Sequence, residues 1–490
     1  MSQNLNELNL IDAVEGLKKG DFTSFSLVEA CYDAIDSYDT SLKAFLNLCK
    51  DSAFKEAKKA DDLIASEGSS AFENKPLLGI PYASKDNFST KGVETTASSN
   101  ILKGYIPPYE STVTKRLNKA GAILLGKTNM DAFAHGSSTE TSDFGSSYNP
   151  WDINYVPGGS SGGSAVATAA DMCIFSIGSE TAGSIRGPAS WCGVTGLKPT
   201  YGRVSRYGVI AMASSTDSPG PITKTALDSA YVLQVIAGKD KYDATSSFLH
   251  VDPYVQKAES FTLKGKKIGL LNPYFVKEMR QDIKDLIMKS IDVLKNQGAE
   301  IIEINDLIDP KYSIAVYTII QRSEVSSNLA RFTGVRYGHS RDSFGHEAKK
   351  RMMLGAYALS AGYYDQYYAK AQKVRTMIVN DFDTALSNVD LLVAPTLHDV
   401  AQKTGTASSS PLFGELMDML TEPSSIAGLT AISIPCGAVS SSSGSKLPVG
   451  LQFMGARFSE STVLGAAHQF QKVTSFHTDK PDLSKIKEGK

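Results

Sequence analysis

The chain has 490 residues, 42% of them hydrophobic, and its 50 Lys and Arg against 52 Asp and Glu give a formal net charge of −2. The near-neutral charge excludes a chain-wide basic surface for a nucleic acid. The five cysteines lack CxxC spacing, which argues against a disulfide framework and a cysteine-ligated zinc, and no stretch approaches the ~20 apolar residues that cross a bilayer. We expect a cytoplasmic protein without a membrane anchor or a metal site.

The first part of the chain, residues 1–70, is predicted to be helical. Ser26 and Glu29 have the spacing of a capping box, and apolar residues recur on one helical face after them. The pattern then changes to short apolar runs bounded by Gly and Pro, at Leu77–Ala83 and Ala120–Leu125. These runs predict buried strands that alternate with helices.

The clearest βαβ unit is predicted over residues 266–304. Its strands are Lys267–Leu271 and Ala299–Ile304, and the amphipathic helix between them ends before Gly298. The same reasoning predicts further helices over 225–237 and 360–388, strands at Val389–Ala394, Ala431–Pro435 and Pro448–Met454, and a hairpin tip at Ser440–Ser445.

The predicted organisation is a single large α/β domain, because no change in composition is long enough for an interdomain linker. We expect residues 1–70 to pack on a main domain at 71–480, and residues 481–490 to form a polar tail.

Two strings rich in Gly and Ser stand out, PGGSSGGSA (157–165) and GSETAGSIRGPAS (178–190). Apolar residues flank both strings, which argues against a flexible linker. A phosphate-binding loop of the Walker type needs Lys-Ser or Lys-Thr after its second glycine, and none follows Gly163.

A nucleophile elbow, G-x-S-x-G, is matched twice in the first string, on Ser160 and on Ser161. Such an elbow requires a histidine base. His398, His468 and His477 are downstream candidates, and no local pattern singles out any of them.

A serine hydrolase with a lysine base is the remaining interpretation. Lys85 follows an apolar run in GIPYASKDNF (79–88), and burial lowers the pKa of a lysine so that its neutral amine can accept a proton. The alternative for Lys85 is a surface salt bridge with Asp86. The occurrence of Lys85 together with both Gly/Ser strings favours the base.

These three segments together resemble the amidase signature family. Lys85, Ser160 and Ser184 fall on the lysine, the bridging serine and the nucleophilic serine of that family. The resemblance implies a central mixed β-sheet covered by helices on both faces, and a cis peptide bond at Ser160. It also implies that Ser184 attacks an amide carbonyl while Ser160 passes the proton to neutral Lys85. Successive backbone N–H groups can stabilise the oxyanion, here those of Thr181, Ala182, Gly183 and Ser184.

The nucleophile string departs from the family at three positions. The family usually has Asp at Glu180, Gly at Ala182 and Gln at Gly187. Alanine enters positive-φ conformations less easily than glycine, but the donor is a main-chain N–H, so we expect Ala182 to be tolerated. Arg186 is predicted to be a structural ion-pair partner.

Several longer stretches resemble one branch of that family, the glutamine-using A subunits of aspartyl/glutamyl-tRNA amidotransferases. They are KTNMDAFAHGSSTE (127–140), TYGRVSRYGVIAMASS (200–215), SEVSSNLARFTGVRYG (323–338) and LGAYALSAGYYDQYYAKAQKVRT (354–376). By this resemblance, Arg351 binds the α-carboxylate of glutamine, Asp418 binds its α-ammonium group, and Tyr317 lines the same pocket.

The resemblance also implies partners. The ammonia released would be used by a B subunit to amidate Glu-tRNA(Gln) or Asp-tRNA(Asn), in a heterotrimer with a small C subunit. ATP, magnesium and most tRNA contacts would then belong to the B subunit, and this chain would hold no cofactor. The alternatives are a stand-alone amidase that acts on small or aryl amides, and a catalytically weak scaffold.

Overall fold

An eleven-stranded sheet runs through the described part of the chain. The structure is a computed structural model that describes residues 4–410, 412–441 and 443–487. The strands are β1 (Phe45–Leu48), β2 (Pro81–Lys85), β3 (Ile123–Thr128), β4 (Phe175–Glu180), β5 (Thr195–Lys198), β6 (Ser218–Thr223), β7 (Lys267–Leu271), β8 (Glu300–Ile304), β9 (Leu391–Pro395), β10 (Thr430–Ser440) and β11 (Lys446–Gly455).

The α-helices of the same residues pack around this sheet. They are α1 (Leu10–Lys19), α2 (Ser24–Leu42), α3 (Lys50–Glu67), α4 (Ala71–Asn74), α5 (Thr112–Lys119), α6 (Gly162–Ala169), α7 (Arg186–Cys192), α8 (Ala226–Ile236), α9 (Tyr254–Glu259), α10 (Gln281–Asn296), α11 (Lys311–Asn328), α12 (His346–Ala358), α13 (Tyr368–Asn388), α14 (Thr406–Ser409), α15 (Phe413–Met417), α16 (Glu422–Ile426), α17 (Glu460–Lys472) and α18 (Ser484–Lys487). None of the described helices combines the length and the apolar composition needed to cross a membrane.

The sheet is mixed, and helices cover both of its faces. The strand order is β1-β3-β2-β4-β6-β5-β10-β11-β9-β7-β8; β2 is parallel to β3 and β4, and β7 is parallel to β8 and β9. Neighbouring residues of a strand point to opposite faces. Tyr82 of β2 belongs to a buried cluster with Leu117 of α5 and Leu233 of α8, whereas Ala83 belongs to another with Val166 of α6. The predicted fold class is confirmed.

Local sequence patterns identified several elements correctly. Strands β7 and β8 are parallel and joined through α10, and Gly298 follows that helix with φ +88°. Helix α8 begins after Thr225, whose side chain forms a capping box with Asp228. Strands β10 and β11 form the predicted antiparallel hairpin. Of its tip, Ser442 lies outside the described residues.

The N-terminal stretch differs from its prediction in two respects. It is not helical throughout, because β1 pairs with the edge of the sheet beside β3. Helix α2 also begins earlier than predicted, since Thr23 and Ser26 form the capping box and Glu29 takes no part in it. The division of the chain at residue 70 stays a prediction, as does the polar tail, whose residues 488–490 lie outside the described ranges.

Other element boundaries are shifted. Strand β2 begins at Pro81 and extends to Lys85, so the lysine is the last residue of the strand. Strand β3 likewise begins three residues after the predicted start. The helix predicted over 360–388 begins only at Tyr368, because a turn with Gly362 at φ +85° precedes it. Tertiary pairing and turn geometry set these boundaries, and apolar periodicity alone does not report them.

Candidate active site

Lys85 lies at the end of β2, which has a neighbouring strand on each side. Its side chain is 0% exposed, and its Nζ is 2.7 Å from the Oγ of Ser160 and donates to the carbonyl oxygen of Ser179 at 3.0 Å. Burial lowers the pKa of Lys85 from 10.5 to about 7, although the carboxyl groups of Asp131, Asp217 and Glu180 oppose this shift. A large fraction of Lys85 is therefore neutral near pH 7.

The alternative interpretation of Lys85, a surface salt bridge with Asp86, is not what the structure has. Asp86 is buried, its Oδ1 lies 3.5 Å from the Nζ of Lys127, and its Oδ2 accepts the N–H of Thr96 at 2.9 Å. The neighbouring carboxyl group is thus occupied by another lysine, which leaves the amine of Lys85 to Ser160.

Ser160 enters the site through a cis peptide bond between Gly159 and Ser160. A Cβ atom at Gly159 would lie 2.0 Å from an oxygen of Asp131, so only glycine fits there. The next residue, Ser161, donates its N–H to the carbonyl of Ser184 at 3.1 Å. The two Gly/Ser strings, separate in sequence, are therefore in direct contact.

Ser184 lies in the loop between β4 and α7. Within residues 4–410, 412–441 and 443–487, none of the N–H groups of Thr181, Ala182, Gly183 and Ser184 donates to a protein acceptor. Ala182 does not have a positive φ, so alanine fits its backbone without strain. The loop thus has a run of unpaired amide donors that ends at Ser184, an arrangement that can stabilise an oxyanion.

Gly183 and Gly187 differ in the space around them. A Cβ atom at Gly183 would lie 2.3 Å from the Oγ1 of Thr421 and 2.4 Å from an oxygen of Asp418, which requires glycine. At Gly187 the nearest atom is that same Asp418 oxygen, at 3.9 Å. A side chain would therefore fit beside Asp418 at this position, where the resemblance to the family implies a glutamine.

Glu180 and Arg186 form a fully buried ion pair that holds the nucleophile loop. One oxygen of Glu180 accepts from the guanidinium of Arg186, and the other accepts the N–H groups of Ile185 and Arg186 at 3.0 Å each. Arg186 also donates to the carbonyls of Ala182 at 3.0 Å and Thr421 at 2.8 Å. The structural role predicted for Arg186 is confirmed.

Replacing Glu180 with glutamine is expected to lower the free energy of unfolding by about 3–5 kcal/mol, because the charge of Arg186 would remain buried without its counter-ion. Urea denaturation followed by circular dichroism measures this loss. Glu180→Asp, which keeps the charge, is the matched control, and its free energy of unfolding is expected to fall by less. Equal stability of Glu180→Gln and the native chain would contradict the role of the ion pair.

A small cavity, with a volume of about 10 Å³, has Ser184 among its lining residues. This is about the space that one water molecule needs, so a larger substrate must displace side chains when it enters. All three residues predicted to bind glutamine line the cavity, namely Tyr317, Arg351 and Asp418. The structure therefore brings the predicted pocket and the predicted nucleophile together.

Arg351 and Asp418, both in the lining of this cavity, remain available to a ligand. In the described chain, Arg351 makes one hydrogen bond, from Nε to Glu347 at 2.7 Å, so its terminal nitrogens are free to bind a carboxylate. Asp418 accepts from the hydroxyl of Ser137 at 2.7 Å. Burial raises the pKa of Asp418 to about 8, so this carboxyl group is largely protonated at neutral pH.

Sequence reasoning missed three residues that line the cavity, Ser137, Glu415 and Glu422. The two glutamates had a detectable signal. They lie three residues before and four residues after Asp418 in ELMDMLTEP, a spacing that places acidic residues on one helical face.

The histidine candidates do not join the site. None of His398, His468 and His477 lines the cavity of Ser184. Burial lowers the pKa of each of these imidazoles. Within the described ranges, no three His, Cys, Asp or Glu side chains are grouped to hold a metal ion.

A mixed sheet with a buried lysine bonded to one serine, and a second serine in a loop of unpaired amides, is the arrangement expected of an amidase. The amidase family profile matches residues 26–464. The chain belongs to the amidase family, which confirms the resemblance. It is 47% identical over 482 residues to the A subunit of glutamyl-tRNA(Gln) amidotransferase from Geobacillus thermodenitrificans (strain NG80-2), covering 95% of this chain and 97% of that protein.

Solved structures agree with this assignment. The crystal structure of the A subunit of glutamyl-tRNA(Gln) amidotransferase from Thermotoga maritima has a TM-score of 0.80 and 36% identity, over 97% of this chain and 96% of that one. The native peptide amidase from Stenotrophomonas maltophilia has a TM-score of 0.80 and 29% identity, over 95% of this chain and 96% of that one.

Proposed function

We propose that the chain is the glutaminase subunit of a tRNA-dependent amidotransferase. It hydrolyses glutamine to glutamate and ammonia, and the ammonia serves to amidate Glu-tRNA(Gln), Asp-tRNA(Asn) or both. The observation that carries this proposal is a single cavity lined by Ser184, by Arg351 with its two terminal guanidinium nitrogens unpaired among the described residues, and by the carboxyl group of Asp418. Glutamine carries one carboxylate and one ammonium group, and such a pocket complements both.

In the proposed reaction, the Oγ of Ser184 attacks the carbonyl carbon of the side-chain amide. The proton of Ser184 passes to Ser160, and the proton of Ser160 passes to the neutral amine of Lys85. The negative charge on the carbonyl oxygen is stabilised by the amides of the nucleophile loop, from Thr181 to Ser184. The proton then returns along the same path to the leaving nitrogen, ammonia departs, and an acyl-enzyme ester remains. Water hydrolyses this ester by the same route to give glutamate.

Substrate recognition in this proposal uses opposite charges. Arg351 binds the α-carboxylate through its two terminal nitrogens, and Asp418 accepts from the α-ammonium group. The ring of Tyr317, which is buried on α11, closes one side of the pocket. With both charged groups of the amino acid held, the side-chain amide is directed to Ser184, which lines the same cavity.

The ammonia is used by partner subunits in this proposal. The aminoacyl-tRNA is amidated by a B subunit with ATP and magnesium, and a small C subunit completes the heterotrimer. The formal net charge of −2 supports this division, since a protein that binds tRNA by itself needs many more cationic contacts.

The proposal is tested by measuring ammonia release from glutamine by the full chain, alone and with B and C subunits added. The same preparations are given a neutral aryl amide. We expect glutamine to be hydrolysed with the higher kcat/KM, and the ammonia to reach the tRNA product in the complete assembly. Fast aryl amide turnover without glutamine turnover would instead favour a stand-alone amidase.

The kcat for glutamine is expected to rise with pH through about 7. The reactive form of Lys85 is its neutral amine, and burial lowers its pKa to about 7. Below pH 7, each decrease of one pH unit should lower kcat about tenfold, because protonated Lys85 accepts no proton. Saturating glutamine is used so that Asp418 stays ionised against the bound ammonium group. A flat kcat between about pH 5 and pH 8 would contradict a lysine base.

Arg351→Ala is expected to raise the KM for glutamine by about 30- to 100-fold, because a charge-assisted contact with the carboxylate is lost. Steady-state ammonia release measures this change. Lys349→Ala, a cation on the same helix whose Nζ binds the carbonyl of Asp342, is the matched control and should keep the native KM. An unchanged KM in Arg351→Ala would reject the assigned pocket.

A further inference from the structure

Glu422, the first residue of α16, has a carboxyl group that the protein leaves unsatisfied. The residue is 0% exposed, and its Oε1 has no hydrogen-bond partner among the described residues. Its other oxygen, Oε2, accepts from the hydroxyl of Ser313 at 3.4 Å, which is long for a hydrogen bond between two oxygens. Buried carboxyl groups are normally paired, so an unpaired one at a cavity is a sign that a ligand supplies the partner.

No cation of the described residues fills that place. The nearby Arg322 donates to Glu415, with which it forms a buried ion pair. Arg351 donates to Glu347. The Oε1 of Glu422 therefore has no partner among the described residues, and Glu422 lines the same cavity as Ser184 and Asp418.

We propose that Glu422 and Asp418 together bind the primary ammonium group of the substrate, so that the cavity selects amides that carry a free α-amino group. This inference rests on the proposed glutaminase function and adds a second carboxyl group to its pocket. An ammonium group has three N–H donors. One can bind Asp418, one can bind the unpaired Oε1 of Glu422, and the third stays for the substrate's own carboxylate or for water.

The charges around Glu422 agree with this role. Burial raises the pKa of Glu422, the neighbouring carboxyl groups of Asp418 and Glu415 raise it further, and Arg322 opposes them only in part. Asp418 has its pKa raised to about 8 by burial. A cation placed between two carboxyl groups whose pKa values are raised in this way stabilises their ionised forms, which favours a cationic ligand over a neutral one.

The test compares two substrates in the full chain. L-glutamine carries the α-amino group, and glutaric acid monoamide has the same carboxylate and amide without it. Glu422→Gln is expected to lower kcat/KM for glutamine by about 10- to 100-fold, mainly through KM, because the charge facing the ammonium group is lost. The kcat/KM for glutaric acid monoamide should stay within about threefold of the native value.

Ser313→Ala is the matched control, because it removes the protein contact of Glu422 and keeps its charge. It should leave the preference for glutamine over glutaric acid monoamide unchanged. If Glu422→Gln lowers kcat/KM equally for both substrates, or for neither, Glu422 is a packing residue. The inference is then wrong, while the glutaminase function stands. If the native chain, with B and C subunits present, does not hydrolyse glutamine, the proposed function itself fails and this inference fails with it.

Discussion

Ser184→Ala is expected to lower kcat for glutamine by about 10⁵- to 10⁶-fold, the largest effect of any single substitution in this chain. Loss of a serine nucleophile removes the acyl-enzyme route altogether, and the remaining amides and binding groups give only a small rate above that in water. Ammonia release under single-turnover conditions measures the residual rate. No acyl-enzyme should be detected by mass spectrometry of the intact protein.

Ser161→Ala is the control for this loss. Ser161 is adjacent to Ser160, equally buried, and its Oγ donates to the carbonyl of Ser179 at 3.2 Å. It matches Ser160 in the overlapping G-x-S-x-G patterns but takes no part in the proposed proton path. We expect its kcat to stay within about tenfold of native. If Ser161→Ala were inactive and Ser184→Ala active, the nucleophile would lie in the first Gly/Ser string.

Lys85→Met is expected to have the second largest effect, a decrease in kcat of about 10³- to 10⁴-fold. The substitution keeps the apolar stem of the side chain and removes the group that accepts the proton, which typically costs this much. Steady-state kinetics across the pH range measure both the decrease and the loss of the rise in kcat near pH 7. A variant that keeps that rise would show that another group is titrating.

Lys198→Met is a matched control for Lys85→Met. Lys198 is also buried, and burial lowers its pKa to about 7 in the same way. Its Nζ, however, donates to the carbonyls of Pro199 and Leu429 and reaches no serine among the described residues. We expect Lys198→Met to lower the melting temperature and to keep kcat per folded molecule. Retained activity in Lys85→Met and loss in Lys198→Met would mean that the wrong lysine has been assigned.

Local patterns in the sequence predicted those structural features that are set by a few consecutive residues. The capping box of Thr225 and Asp228 and the amphipathic period of α10 are both properties of a few consecutive residues. The three segments around Lys85, Ser160 and Ser184 were recognisable for a related reason, because the close approach of the backbone there admits few residue types.

What the sequence did not predict depends on contacts between distant residues. Nothing near Asp86 indicates that its partner is Lys127, which lies on the neighbouring strand. The presence of β1 in the sheet follows from its pairing with β3, and its four residues carry too short a pattern to be detected. The spacing of Glu422 from Asp418 was visible in the sequence, but its unpaired carboxyl oxygen becomes evident only when burial and missing partners are known.

Arg186 contacts both the nucleophile loop and the segment that precedes Glu422. One guanidinium holds the carbonyl of Ala182, in the loop whose amides face the oxyanion in the proposed mechanism, and the carbonyl of Thr421, which directly precedes Glu422. In the proposed function, one side chain therefore connects the segment that binds the amino acid with the loop that carries the nucleophile. A variant with a wider or differently charged pocket would move the segment of Thr421 and, through Arg186, the loop of Ala182 as well. We therefore expect changes of substrate specificity in this protein to be accompanied by changes in kcat.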